Sequence, residues 1–168
     1  MRWIWIDKFV EFESGRRAVS VKNVSLAEEH LHDHFPGFPI MPECLMIEAM
    51  AQTAGILVGQ ARGFQEKVVL AKISKAVFFD YVVPGDSLRI EACMETIAAE
   101  AASTAGRITR SDQLIAEIDL MFSHIDQNLA GKKFPKDNFV FGGIFTSLLQ
   151  EVALNRVRPA SQPTESGA

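Results

Sequence analysis

Two side chains stand where they could do acid–base chemistry. Glu48 is the one carboxylate in the otherwise apolar run Cys44 to Gly59, CLMIEAMAQTAGILVG. A lone carboxylate on a buried helix is costly unless it is paired or protonated. Desolvation there raises a carboxyl pKa, which suits a general acid near neutral pH. Gln52 lies one helical turn on and can hold the carboxyl by a hydrogen bond. The alternative is a carboxylate that reaches an exposed seam. His34 opens the segment His34-Phe35-Pro36-Gly37-Phe38-Pro39-Ile40-Met41-Pro42. Its three prolines forbid a regular helix or a central strand and make a stiff loop, which can place an imidazole as a general base; taken alone, such a histidine is more often a turn residue or a satisfied polar contact.

Other residues offer chemistry on weaker grounds. His30, His32 and His34 alternate. On an extended strand they would share one face, as in a three-histidine zinc site. Asp33 would point away from it, and no metal is expected. Cys44 falls in the first turn of the helix, where the dipole lowers a thiol pKa. Both Cys44 and Cys93 are expected to be small buried hydrophobes, and Met46 and Met50 core residues. The chain has no G-x-S-x-G, Walker loop, G-x-G-x-x-G or C-x-x-C pattern, so the sequence signatures of α/β-hydrolases, nucleotide binders and zinc ribbons are missing.

The elements that must position these residues are legible from periodicity. Residues 3–12 and Arg17 to Val24 alternate around a Ser14-Gly15 turn and read as a strand hairpin. Leu26 to His32 reads as a short helix or an irregular segment. Pro42 suits the first turn of a helix and Glu43 its positive end. The helix is expected over about 44–62, with Gly63 as its stop. It is apolar nearly all round, so it must be buried on most faces. Val68–Phe79, Ser87–Ile97, Ala101–Thr109 and Leu114–His124 read as strands, with turns at Pro84-Gly85-Asp86 and Ser111-Asp112. One long buried helix followed by long antiparallel strands means an α+β fold, a sheet wrapped around a central helix. Residues 126–138 read as a polar linker, 139–157 as an amphipathic helix and 158–168 as a disordered tail.

Composition bounds the function. The chain has 168 residues, 17 Lys+Arg against 21 Asp+Glu and a net charge of −4. That is one domain, without the basic footprint of a nucleic-acid binder. Two cysteines cannot form a disulfide framework. The start MRWIWIDK does not read as a secretory leader, and the Cys44–Gly59 run is shorter than a membrane span. A cytoplasmic protein is expected.

Residues 34–55, HFPGFPIMPECLMIEAMAQTAG, closely resemble the signature of the β-hydroxyacyl-[acyl-carrier-protein] dehydratases, the FabZ type of the FabA/FabZ group. IDKFVEFESGRRAVSVKNVS, KAVFFDYVVPGDSLRIEA and GRITRSDQLIAEIDLMFS extend the resemblance to about 120 residues. The resemblance implies a hotdog fold over 1–125, dimeric and often a hexamer of three dimers. It implies a substrate carried on the phosphopantetheine arm of acyl carrier protein, and chemistry that needs no cofactor or metal. It carries over His34 as base and Glu48 as acid, meeting across the dimer interface. Glutamate at Glu48, where the FabA type has aspartate, favours the FabZ type. Phe35, Gly37, Glu43, Cys44 and Gln52 are expected to line the substrate. In the family the position of Glu43 is usually glycine, with its amide facing the thioester oxygen. A side chain there crowds the substrate and bears on which one is accepted. A thioesterase on the same fold and an acyl-binding scaffold subunit are the alternative readings.

Overall fold

The computed structural model describes residues 3–125, together with 135, 140, 143 and 147–150. Six strands form one antiparallel sheet: β1 (Lys8–Glu13), β2 (Arg17–Asn23), β3 (Val68–Phe78), β4 (Ser87–Ile97), β5 (Ala101–Arg110) and β6 (Gln113–His124). Their spatial order is β1-β2-β4-β5-β6-β3, so β1 and β3 are the edges. Between β2 and β3 come a one-turn helix, α1 (His30–Asp33), and the long helix α2 (Glu43–Ala61).

The sheet curls around α2 because α2 has no polar face to give to water. Leu45, Met46, Ala49, Met50, Ala54, Ile56, Leu57 and Val58 are all buried. They meet the inward rows of the strands, among them Ile90, Ile108, Ile118 and Leu120. Each large side chain removed from water this way contributes about 1.5–3 kcal/mol before entropy losses. Register shifts that insert a residue in β1, β3, β4 and β6 mark where the strands bend. Two buried hydroxyls are paired, Ser20 Oγ to Thr53 Oγ1 at 2.6 Å, with Thr53 also donating to the Ala49 carbonyl at 2.9 Å.

Gly106 on β5 shows how closely helix and sheet approach. A Cβ there would collide with the Met50 sulfur and lie 2.8 Å from the Ile118 carbonyl oxygen. The methionine can swing aside, but the backbone oxygen cannot move without disturbing the β5–β6 ladder. Gly106→Ala should therefore cost about 1–3 kcal/mol, read as a lower midpoint in urea unfolding. An unchanged midpoint would mean that the two strands part freely at this point.

The strand and helix expectations hold with small adjustments. Pro42 is the residue before the first helical one, Arg62 is the cap, and Gly63 takes a φ of +63° at the stop. The turns expected at 84–86 and 111–112 carry the positive φ values of Gly85 and Ser111. The hairpin strand expected over 3–12 begins only at Lys8. Its first half leaves the sheet because its backbone groups find a side-chain partner on α2 instead. Helix α2 has 19 residues and is long and apolar enough to cross a membrane by length and composition, contrary to the shorter run read from the sequence. Two-thirds of its apolar window, 67%, is buried inside the fold, as befits a core helix.

The linker at 126–138, the helix at 139–157 and the tail at 158–168 lie outside the described residues, apart from the few positions named. Of those, Leu148 is buried with the core and Val140 lines a cavity.

Candidate active site

His34 is half-buried at the end of α1, where the chain turns into the proline loop. The loop is closed on itself. Phe35 and Phe38 exchange backbone hydrogen bonds at 3.0 and 2.9 Å, and the Ile40 amide donates to the His34 carbonyl at 2.9 Å. The imidazole Nδ1 lies 3.0 Å from the Ile40 carbonyl oxygen. A carbonyl can only accept, so Nδ1 carries a proton, and in the neutral imidazole the lone pair is on Nε2. That is the tautomer a general base requires. Phe35 stacks on the ring at 4.3 Å.

A second layer holds this loop. Met41 donates its amide to the Val82 carbonyl at 2.8 Å, and Phe38 packs edge-on against Tyr81 at 5.5 Å. The 79–86 turn is in turn tied to the ends of β5 and β6. Arg110 reaches Asp80 at 2.7 Å and Asp86 at 2.9 Å. The Tyr81 amide and then the Arg110 guanidinium hold the Asp80 carboxyl below the usual range.

Glu48 is half-buried on α2 and lines an apolar cavity of about 350 Å³. Ala51, Gly55, Ile56, Val68 and Phe122 line it, as does Trp3. Small residues on the helix leave the room. Gln52, 8% exposed, donates from Nε2 to Glu48 Oε1 at 2.8 Å. The expected contact between these two side chains one turn apart is present.

The remaining candidates divide. Glu43 is exposed in the first turn and makes no side-chain cap. The amides of Glu43 and Cys44 donate to nothing among the described residues, as the first turn of a helix leaves them. Cys44 is exposed, which corrects the expectation of a buried small hydrophobe. At the second position of α2 it faces away from the sheet. Cys93 is half-buried, and burial, with Glu91 beside it, pushes its thiol up. Phe35 is 53% exposed, and Gly37, at φ +78°, has open space where a Cβ would stand.

The three histidines do not share a strand face, because the segment is helical. His32 bonds the Leu26 carbonyl at 2.9 Å, and His30 packs edge-on against Trp5 at 5.2 Å. Burial against that indole pushes the His30 pKa down. No group of three His, Cys, Asp or Glu among the described residues is arranged to hold a metal.

Within the chain His34 and Glu48 share no hydrogen bond or ion pair; each is oriented by its own partner. Residues missed by the sequence reading are Trp3 and Trp5, which bond Gln52 through their backbone. Their W-I-W spacing ahead of a strand was the available signal.

A FabA-like domain matches residues 3–119. The chain belongs to the FabA/FabZ family. Curated relatives named 3-hydroxyacyl-[acyl-carrier-protein] dehydratase FabZ share 39% identity over 122 residues in Pelotomaculum thermopropionicum, covering 72% of this chain and 87% of that one. A Hydrogenobaculum relative of the same name shares 43% over 121 residues, 69% of this chain and 80% of its own. Among solved structures, the dehydratase heterocomplex ApeI:P from Xenorhabdus doucetiae superposes with a TM-score of 0.64 at 16% identity, covering 77% of this chain and 91% of that one. At that identity the likeness speaks for the fold: the α+β hotdog arrangement of a curved antiparallel sheet around one helix.

Proposed function

We infer that this protein is a 3-hydroxyacyl-[acyl-carrier-protein] dehydratase of fatty-acid biosynthesis, a hydro-lyase that forms trans-2-enoyl thioesters. The substrate is a (3R)-3-hydroxyacyl chain on the phosphopantetheine arm of acyl carrier protein. His34 Nε2 takes a proton from C2. Glu48, protonated, gives a proton to the C3 hydroxyl as the C3–O bond breaks and water leaves. Negative charge builds on the thioester oxygen as C2 loses its proton, and the unengaged amides at the start of α2 are the donors for it. The apolar cavity beside Glu48 takes the acyl chain. Glu43 flanks this position with its side chain in solvent, where it complements the helix dipole.

The observation that carries this reading is the state of the two side chains. Each makes one side-chain hydrogen bond, His34 to the Ile40 carbonyl and Glu48 to Gln52, and they share none with each other within one chain. A second copy supplies the missing half. The β3 edge carries Leu70, Ile73 and Val77 at 38%, 44% and 39% exposure. A long apolar edge of that kind invites pairing with another strand. A homodimer through β3 would bring His34 of one chain toward Glu48 of the other.

Purified protein incubated with enoyl and hydroxyacyl thioesters tests the reading. Reversible addition and loss of water, followed by ultraviolet absorbance of the enoyl thioester, is the expected result. Release of free thiol would instead identify a thioesterase, and binding without turnover an acyl-carrying scaffold.

A further inference from the structure

We propose that the N-terminal segment ahead of β1 is a positioning clamp for the catalytic acid, acting through Gln52. This rests on the reading of Glu48 as that acid. The Trp5 amide donates to Gln52 Oε1 at 2.8 Å, and Gln52 Nε2 donates to the Trp3 carbonyl at 3.0 Å. The carboxamide thus takes the place of a peptide group in a neighbouring strand, bonded to the donor and acceptor that flank residue 4. The same Nε2 donates to Glu48 Oε1 at 2.8 Å. A flipped amide would set its oxygen against two acceptors and its NH2 against the Trp5 N–H, so one orientation is selected.

The consequence reaches the reaction. Oε1 of Glu48 must accept from Gln52, so the transferable proton sits on Oε2. On transfer, the Oε2–H bond breaks, the C3 hydroxyl gains the proton and leaves as water, and the carboxylate left behind keeps the Gln52 N–H on Oε1. The clamp is itself anchored. Trp3 and Trp5 pack edge-to-face at 5.3 Å, and Trp5 packs on His30 of α1. Because α1 leads directly into His34, the same cluster also braces the element that carries this chain's base, which in the dimer faces the partner's acid.

Backbone donors can be removed one at a time. Trp5→Ala and Trp5→Pro both lose the indole, but only the proline variant loses the N–H that holds Gln52. Turnover should fall about tenfold or more from Trp5→Ala to Trp5→Pro, with KM for the thioester little changed, as displacement of a reacting group predicts. Equal kcat in the two variants, or a loss confined to KM, would overturn the clamp. Should Trp5→Pro fail to fold, Gln52→Glu gives the answer. It keeps the acceptor for Trp5 but loses the donor to both Trp3 and Glu48. A lowered kcat at unchanged KM supports the proposal, and full turnover overturns it. Glu48→Gln, assayed alongside, separates the two levels. If Glu48→Gln turns over normally, the acid assignment falls and the clamp with it. If Glu48→Gln is inactive while the two Trp5 variants match, only the clamp falls.

Discussion

Replacing His34 with alanine, or Glu48 with glutamine, should lower dehydration by about 10²–10⁴-fold, the usual contribution of a positioned acid or base. Neither change should unfold the protein. Both side chains are half-buried and outside the apolar core, and each has one side-chain hydrogen bond. In Glu48→Gln the amide oxygen can still accept from Gln52, so the local packing survives while the transferable proton is gone. Thermal melts of both variants should overlay that of the parent. Steady-state formation of the enoyl thioester measures the loss.

A mixing experiment adds a geometric test. If the site is shared between two chains, a mixed dimer of the two inactive variants holds one intact site and one doubly altered site. Random pairing makes half the dimers mixed, so refolding an equal mixture should restore roughly a quarter of parental activity. No restoration would place both groups in one chain. Normal turnover by either single variant would remove the residue it replaces from the mechanism.

Glu28→Gln should destabilise the protein by about 2–3 kcal/mol, whereas Lys22→Met should change stability by less than about 1 kcal/mol. Lys22 lies on β2 with only 6% of its surface exposed. Its ammonium pairs with Glu28, with Asp7 3.9 Å away and the Trp5 ring centroid at 5.8 Å. Taking the charge from Glu28 strands a buried cation. The cost falls below the full 3–5 kcal/mol for a broken buried pair because Asp7 remains near and Glu28 is partly solvated. Lys22→Met removes the cation instead, in a side chain of similar length. Glu28 then keeps the Ser25 amide at 3.2 Å and its share of water. Urea unfolding of the two variants gives the comparison. Equal losses would show that the pair behaves as a surface contact.

Much of this was written in local pattern. An apolar run interrupted only by Glu48 and Gln52 reads as a helix buried on most faces, and α2 is that helix. Alternation placed β2, β4 and β6 to within a residue, because a strand with one wet face must repeat every second position. The block around His34 and Glu48 carried the family. These features depend on neighbours a few residues apart, and sequence spacing records them directly.

What the tertiary structure alone decided are the partners. Period-2 alternation runs through Trp3 and Trp5 as it does through β1, yet those residues leave the sheet, because Gln52 offers their backbone a better-placed partner 47 and 49 positions away. The Ile40 carbonyl selects the His34 tautomer only once the loop has closed. Cys44 and Leu45 are adjacent on an apolar helix, yet Cys44 is exposed and Leu45 buried, since which side of the first turn meets the sheet is settled by packing. A periodic pattern specifies which face must be covered. It cannot specify which distant atom covers it, because that depends on the closure of loops whose ends are far apart in the chain.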